Sequence, residues 1–484
     1  MKGMIRMSLT ELRKKLDSKE ISVRELTEEY LKRIEEKDKS IRSYITVAED
    51  TARREADEAQ KLIDKGESKP LTGIPLSVKD NICTKGIRTT CASRMLENFK
   101  PVYDATVIEK LKEQGAVILG KTNMDEFAMG GTGRTSYFGG TCNPYDLERV
   151  PGGSSSGAAA SVSAELCAVA LGSDTGGSVR QPAAFCGVTG LKPTYGAVSR
   201  YGLIAFASSL DQIGVVGNSA RDAAYVLNAI AGQDERDATS RKLSDWDSMS
   251  MLGMDIAGIK IGIPKEFFSE GIADEVKEKV MSVAKFYESK GAKLINTSMP
   301  SLDYAVSAYY LISSAEAASN LSRFDGIKFG YRSDKGENYK ELIKNTRREG
   351  FGPEVKRRIL LGNYALSSGY YDAYYKNALR ISSRLKEEYN GIFKSCDVIL
   401  TPTAPATAQK ICQNKEKPAT AYLSDICTVS VNIAGLPGIS TTCGYDKNNM
   451  PIGMSIVGRH FDEARIVAVA DVFEREFSRR EPMI

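Results

Sequence analysis

Two short stretches hold the residue types from which covalent chemistry is built: VPGGSSSGAAASVSA, Val150 to Ala164, and GSDTGGSVRQPA, Gly172 to Ala183. Serines set among glycines at a turn suit a hydroxyl nucleophile, which needs a base for its proton and donors for the oxyanion that forms. Ser178 closes the Gly-Gly-Ser turn after the apolar run CAVALGSD, and the backbone N–H groups of Thr175, Gly176, Gly177 and Ser178 are the candidate oxyanion donors. The usual base is histidine, yet the chain has a single one, His460, remote in sequence from both stretches.

Lys79, at the end of IPLSVK, is the other candidate base. A solvated lysine titrates at about 10.4 and keeps its proton at neutral pH. Burial disfavours the ammonium and can lower that value by several units, which frees the amine. Ser154 would then relay a proton between Ser178 and Lys79. Spacing by itself does not favour this reading, because a lysine that follows a strand is more often a solvated end.

Other readings compete for the glycine-rich stretches. A flexible linker does not suit GGSSSGAAAS, since its glycines stop at Gly157 and AAASVSA continues as a good helix. A phosphate-cradling loop is nearer, because glycine turns that open helices offer N–H groups to anions, and GGTGRTS, Gly130 to Ser136, has a similar composition. Yet the chain has no GxxxxGK[ST], and GTGRTS lacks the third glycine of the dinucleotide fingerprint.

The elements that must position these residues alternate in type. IPLSVKD, ATVIEKLKEQG and AVILGK read as strand, helix and strand, with Gly115 at the helix end. IKIGIPKEF, GAKLIN and SCDVILTPTAPA read as further strands, each ended by Pro or Gly. The expected class is α/β, with helices on both faces of the sheet. Residues 1–65 read as a helical N-terminal segment, in which Ser22 caps a helix carrying Leu26, Tyr30 and Ile34 on one face. Residues 66–484 read as the main domain, with a helix-rich, tyrosine-bearing cover at about 300–390. Tyrosines at helical spacing predict core or interface packing, with the cover over one side of a pocket.

Composition narrows the function classes. Of 484 residues, 42% are hydrophobic and 26% charged, the profile of a folded globular protein. Basic and acidic side chains number 66 and 62, so the net charge of +4 leaves no nucleic-acid footprint. Nine scattered cysteines form no CxxC pair and, with one histidine, predict no metal site and a reducing, cytoplasmic setting. No apolar run approaches the roughly 18 residues of a membrane span.

The segments GIPLSVKDNI, NMDEFAMGG, NPYDLERVPGGSSSGAAAS, GSDTGGSVRQPAAFCGVTGLKPTYGAVSRYGLIAFASSLDQIG and VNIAGLPGIS together resemble the amidase signature family, over essentially the whole chain. That resemblance implies the family's fold, a large mixed twisted sheet with helices on both faces. It also implies a Ser-Ser-Lys triad: Ser178 as nucleophile, Ser154 as bridging serine after a cis peptide bond, and Lys79 as base. SSLDQIG, FGPEVKRRILLGNYALSSGYYDAYYKNA and AYLSDICTVSVNIAGLPGIS are similar to the glutaminase subunits of tRNA-dependent amidotransferases within that family. Under that resemblance Arg358 and Asp425 grip the α-carboxylate and α-ammonium of glutamine, the choice of Arg358 over Arg357 resting on register. Gly130 and Tyr309 join them as substrate-binding residues. The implied partners are the B and C subunits of the amidotransferase, with a mischarged tRNA bound mainly through the B subunit. No cofactor is implied for this chain, ATP and Mg being used by the partner subunit. Ala158 departs from the Gly or Ser usual in the family, a change expected to affect packing only.

Overall fold

The computed structural model describes residues 7–411 and 423–484. Its central strands are buried from end to end because both of their faces are covered. β1 Tyr44–Val47, β2 Pro75–Lys79, β3 Val117–Thr122, β4 Val169–Asp174, β5 Thr189–Lys192 and β6 Gln212–Gly217 come first in the chain. β7 Lys260–Pro264, β8 Lys293–Thr297, β9 Val398–Pro402, β10 Gly438–Tyr445 and β11 Pro451–Val457 follow. They form one 11-stranded sheet in the order β1-β3-β2-β4-β6-β5-β10-β11-β9-β7-β8. β2 runs parallel to β3 and β4, and β7 runs parallel to β8 and β9, while the other pairings are antiparallel. The expected α/β class and mixed sheet are what the structure has.

The parallel pairing of β2 with β4 is the feature that builds the site. Leu76, Ser77 and Val78 lie opposite Val169, Ala170 and Leu171, so both strands end at the same edge of the sheet. Chain leaves that edge with backbone groups unpaired, which is where α/β folds bind ligands. The helix Ser156–Ser163, with Ala158 buried in it, packs on β2, β3 and β4 and brings the serine stretch to the same edge.

The N-terminal segment contributes a strand as well as helices. Ser22 caps the helix Val23–Ile41 through a capping box with Glu25, and Leu26, Tyr30 and Ile34 are buried as the periodicity predicts. β1, absent from the helical reading, adds antiparallel to β3 as the edge strand. The cover is helical: Ala305–Asn320 packs against Pro353–Leu366 and Asn377–Ile392. Tyr309 and Tyr310 are buried there, whereas Tyr364, Tyr370, Tyr371 and Tyr374 lie exposed. The cysteines among the described residues are free thiols, and Cys412 lies outside those residues. Among the described residues no helix is long and apolar enough to cross a membrane.

Candidate active site

Lys79, the last residue of β2, is fully buried. Its Nζ lies 2.8 Å from Ser154 Oγ, 2.8 Å from Ser155 Oγ and 3.2 Å from the Ser173 carbonyl. Burial drives its pKa down to about 7, although the carboxylates of Asp125, Asp174 and Asp211 pull it the other way. A neutral amine in contact with two hydroxyls can take a proton from either. Ser155, a neighbour that the sequence reading passed over, is anchored by donating to the Ser173 carbonyl at 3.0 Å. Ser154 is freer to carry a proton onward.

The Gly153–Ser154 peptide bond is cis, as the resemblance implies. One residue further on, the Ser155 N–H donates to the Ser178 carbonyl at 3.1 Å, which fixes the two serine stretches against each other. Ser178 is 7% exposed and opens onto a narrow slot shared with Gly130, Gly153, Gly176, Tyr309, Arg358 and Asp425. The structure therefore brings together Lys79, Ser154 and Ser178 on one side and the expected substrate-binding residues on the other.

The oxyanion turn differs from expectation at one residue. The Gly177 N–H donates to Asp174 Oδ1 at 2.7 Å and so is not available to a ligand. Among the described residues no hydrogen bond engages the N–H of Thr175, Gly176 or Ser178, and these three are the open donors. Thr175 uses its hydroxyl on Asp211, 2.7 Å away. Gly177 has φ 127, and a β-carbon there would fall 2.2 Å from Thr428 Oγ1, so only glycine fits. A β-carbon on Gly176 would meet the Tyr309 ring at 2.5 Å, which places Tyr309 as a wall against the turn.

Asp174 holds this turn from beneath. Besides Gly177 it accepts from the Val179 N–H at 3.1 Å, from Arg180 Nε at 3.1 Å and from Asn432 Nδ2 at 2.9 Å. Burial alone would raise its carboxyl, but Arg180 and then Lys192 outweigh burial and hold it well below the usual carboxylate range. The GGTGRTS loop also proves to be filled from within the protein. Asp125 accepts the N–H groups of Gly133 at 2.9 Å and Thr135 at 3.1 Å, occupying donors that a phosphate would need.

Arg358 and Asp425 meet at the slot through Tyr310. The Tyr310 hydroxyl donates to Asp425 Oδ2 at 2.6 Å, and the Arg358 guanidinium sits 4.2 Å from the Tyr310 ring centroid. Burial raises the Asp425 carboxyl to about 6, tempered by the Tyr310 hydrogen bond and by Arg358. Arg358 is also held by Glu354, its Nε lying 2.7 Å from Oε1. Of the two adjacent arginines, the Arg358 side chain is 3% exposed and that of Arg357 45%, and of the two only Arg358 lines the slot. Beyond the slot the site widens into a cavity of about 730 Å³ that includes Gly130, Gln181, Arg358 and Asp425. Tyr310 and Gln181 were not found from sequence. Their neighbours in space come from distant parts of the chain. His460 sits apart, beside Gly435, with its pKa lowered by burial and by Lys192.

Comparison with known proteins shows the family of the whole chain. The Amidase family model matches residues 25–467. The chain is similar to the A subunit of glutamyl-tRNA(Gln) amidotransferase from Ruminiclostridium cellulolyticum, 56% identical with 98% of each chain covered. It is similar to the corresponding protein of Thermoanaerobacter pseudethanolicus, 54% identical over 97% of this chain and 96% of that one. The crystal structure of the glutamyl-tRNA(Gln) amidotransferase A subunit from Thermotoga maritima is similar at 40% identity and a TM-score of 0.82, covering 99% of this chain and 98% of that one. This chain is an enzyme of the amidase signature family, in the group of the glutamyl-tRNA(Gln) amidotransferase A subunits.

Proposed function

We propose that the chain hydrolyses the side-chain amide of glutamine and delivers the ammonia to a partner subunit that amidates Glu-tRNA(Gln), Asp-tRNA(Asn) or both. The observation that carries this reading is the pair of opposite charges, Arg358 and Asp425, lining one slot with Ser178. An amide substrate that uses both must bring a carboxylate and an ammonium, as glutamine does. A stand-alone amidase acting on a small or fatty amide would need neither.

In this mechanism neutral Lys79 accepts a proton from Ser154, which takes one from Ser178 as its Oγ attacks the amide carbon. The N–H groups of Thr175, Gly176 and Ser178 hold the oxyanion. The proton returns along the same path to the amide nitrogen, the C–N bond breaks, and ammonia leaves with glutamate bound as an ester to Ser178. A water molecule, deprotonated by the same relay, attacks the ester and releases glutamate. Gly130 and Tyr309 bound the slot around the substrate chain.

The implied complex has the B and C subunits of the amidotransferase as partners in the cytoplasm, with ATP and Mg used by the B subunit, where tRNA is mainly bound. The small net charge of this chain supports that division. Ammonia release from glutamine by the purified chain, alone and with both partners, tests the reading. Release that depends on Ser178 is expected. Turnover of simple aliphatic amides in preference to glutamine would overturn it in favour of the stand-alone amidase.

A further inference from the structure

Gln181 lies in the helix Arg180–Phe185, three residues after Ser178, and is 2% exposed. Its Oε1 accepts the Gly153 N–H at 3.1 Å. Because a backbone N–H can only donate, this contact orients the carboxamide, with oxygen toward Gly153 and Nε2 turned away. Nε2 is buried and, among the described residues, has no hydrogen-bond partner. Buried amide groups are normally satisfied, and one that is not calls for a missing acceptor.

The surroundings say where that acceptor belongs. Gln181 lines the cavity outside the Ser178 slot. A β-carbon built on Gly131 would lie 3.6 Å from Gln181 Nε2 and 3.5 Å from Asp425 Oδ1, so the two polar groups flank one point of the cavity wall. Asp425 is an acceptor there, already joined by the Tyr310 hydroxyl, and suits a cation. Gln181 Nε2 is a donor and suits an anion or a carbonyl. An ammonium and a carboxylate on a single carbon would meet both, with Arg358 on the same cavity supplying the countercharge for the carboxylate.

We propose that Gln181 Nε2 donates a hydrogen bond to the α-carboxylate of the amino-acid amide, which makes Gln181 a specificity-determining residue of the substrate site. The inference rests on the reading that the slot takes glutamine. It adds a coupling: through Oε1 the same carboxamide holds the Gly153 N–H, next to Ser154, so the group that reads the substrate's far end also steadies the proton relay.

Three amides separate this role from a purely structural one: glutamine, glutaramate, which lacks the ammonium, and 4-aminobutyramide, which lacks the carboxylate. Each is followed as turnover or, where turnover is slow, as competitive inhibition of glutamine hydrolysis, in the full chain and two variants. Gln181→Leu removes the donor and should lower kcat/KM for glutamine and glutaramate by about tenfold, mainly through KM. Gln181→Glu keeps an oxygen for Gly153 but turns a negative group toward the carboxylate. It should cost about a hundredfold on those two amides, whereas 4-aminobutyramide should be handled by this variant as by wild type and should lose, in Gln181→Leu, only the smaller factor common to all three amides that comes with losing the Gly153 contact. Equal losses on all three amides, or a glutamate variant with wild-type glutamine kinetics, would overturn the assignment. Wild-type enzyme that releases no ammonia from glutamine would instead overturn the glutamine reading itself, a distinguishable outcome.

Discussion

Lys79 ends β2 and Lys192 ends β5, and burial treats the two alike: each is buried and pushed down to about 7, with burial the largest cause for both. What surrounds the two amines differs. Lys79 Nζ touches the hydroxyls of Ser154 and Ser155 at 2.8 Å each. Lys192 Nζ donates to the Pro193 carbonyl at 2.8 Å, and the like charge of Arg180 is the second cause of its shift. A carbonyl has no proton to give, so Lys192 can be neutral without being a base toward anything. A perturbed titration marks burial, and a hydroxyl in contact with the amine is what a proton relay further requires.

The largest effects are expected at Lys79. Lys79→Ala should lower kcat by about a thousandfold or more, the scale of removing a general base. Lys79→Arg should do nearly as much, because a guanidinium keeps its proton up to a pKa above about 12. Substantial activity in the arginine variant would reduce Lys79 to a positive charge and erase its contrast with Lys192. The pH profile sharpens the same point. Only the unprotonated amine accepts a proton, so kcat/KM should rise with pH through about 7 and then level off. A wild-type profile flat across that interval would remove Lys79 as the titrating base.

Smaller losses are expected one and two steps away. Ser154→Ala breaks the relay but leaves Ser178 and Lys79 in place, and a loss of about a hundredfold or more in kcat is expected. Equal rates for this variant and wild type would take Ser154 out of the path. Arg358→Ala and Asp425→Ala should each lower kcat/KM for glutamine by about ten- to a hundredfold, the size of one charge-assisted contact, while sparing a simple aliphatic amide. An unchanged ratio of the two substrates would sink the clamp.

Ser178 stood out locally as a serine in a glycine turn, but a lysine closing an apolar run is more often a solvated end, and it was the resemblance to the amidase signature family that singled out Lys79 and Ser154 as its partners. Their mutual contacts were not legible, since they depend on β2 and β4 pairing side by side. At Gly177 a local signal went unused. Asp three residues before an N–H is a common capping spacing, and in SDTGG it removes one of the expected oxyanion donors. β1 was missed because YITV is only 4 residues long, partly exposed, and set between strong helices. Tyr310 reads as one more tyrosine of the cover, because its partners Arg358 and Asp425 come from later segments of the chain. Gln181 is legible only once Gly153 is seen to occupy one end of its carboxamide.

The smallest expected effect is at Lys192, and it tests the comparison from the other side. Lys192→Met removes a buried amine that touches no hydroxyl of the relay, so kcat should stay within about fivefold of wild type, far from the loss that removing a general base brings. Asp174 should remain ionised, because Arg180, its stronger neighbour, is still there. Stability should change in a pH-dependent way whose sign follows from the shift. Lys192 has a folded pKa near 7, below its unfolded value of about 10.4, so between those values the unfolded chain binds more protons. Over that interval this lysine makes stability rise with pH, and below about 7 its contribution is flat. Wild type should therefore gain stability relative to Lys192→Met as pH goes from about 7 to 10, read as the difference in Tm between the two proteins at each pH. A difference that does not change with pH would mean Lys192 keeps its proton in the folded state. A folded Lys192→Met with kcat down a thousandfold would mean that both strand-end lysines belong to the catalytic machinery, and the contrast drawn from their neighbours would fail.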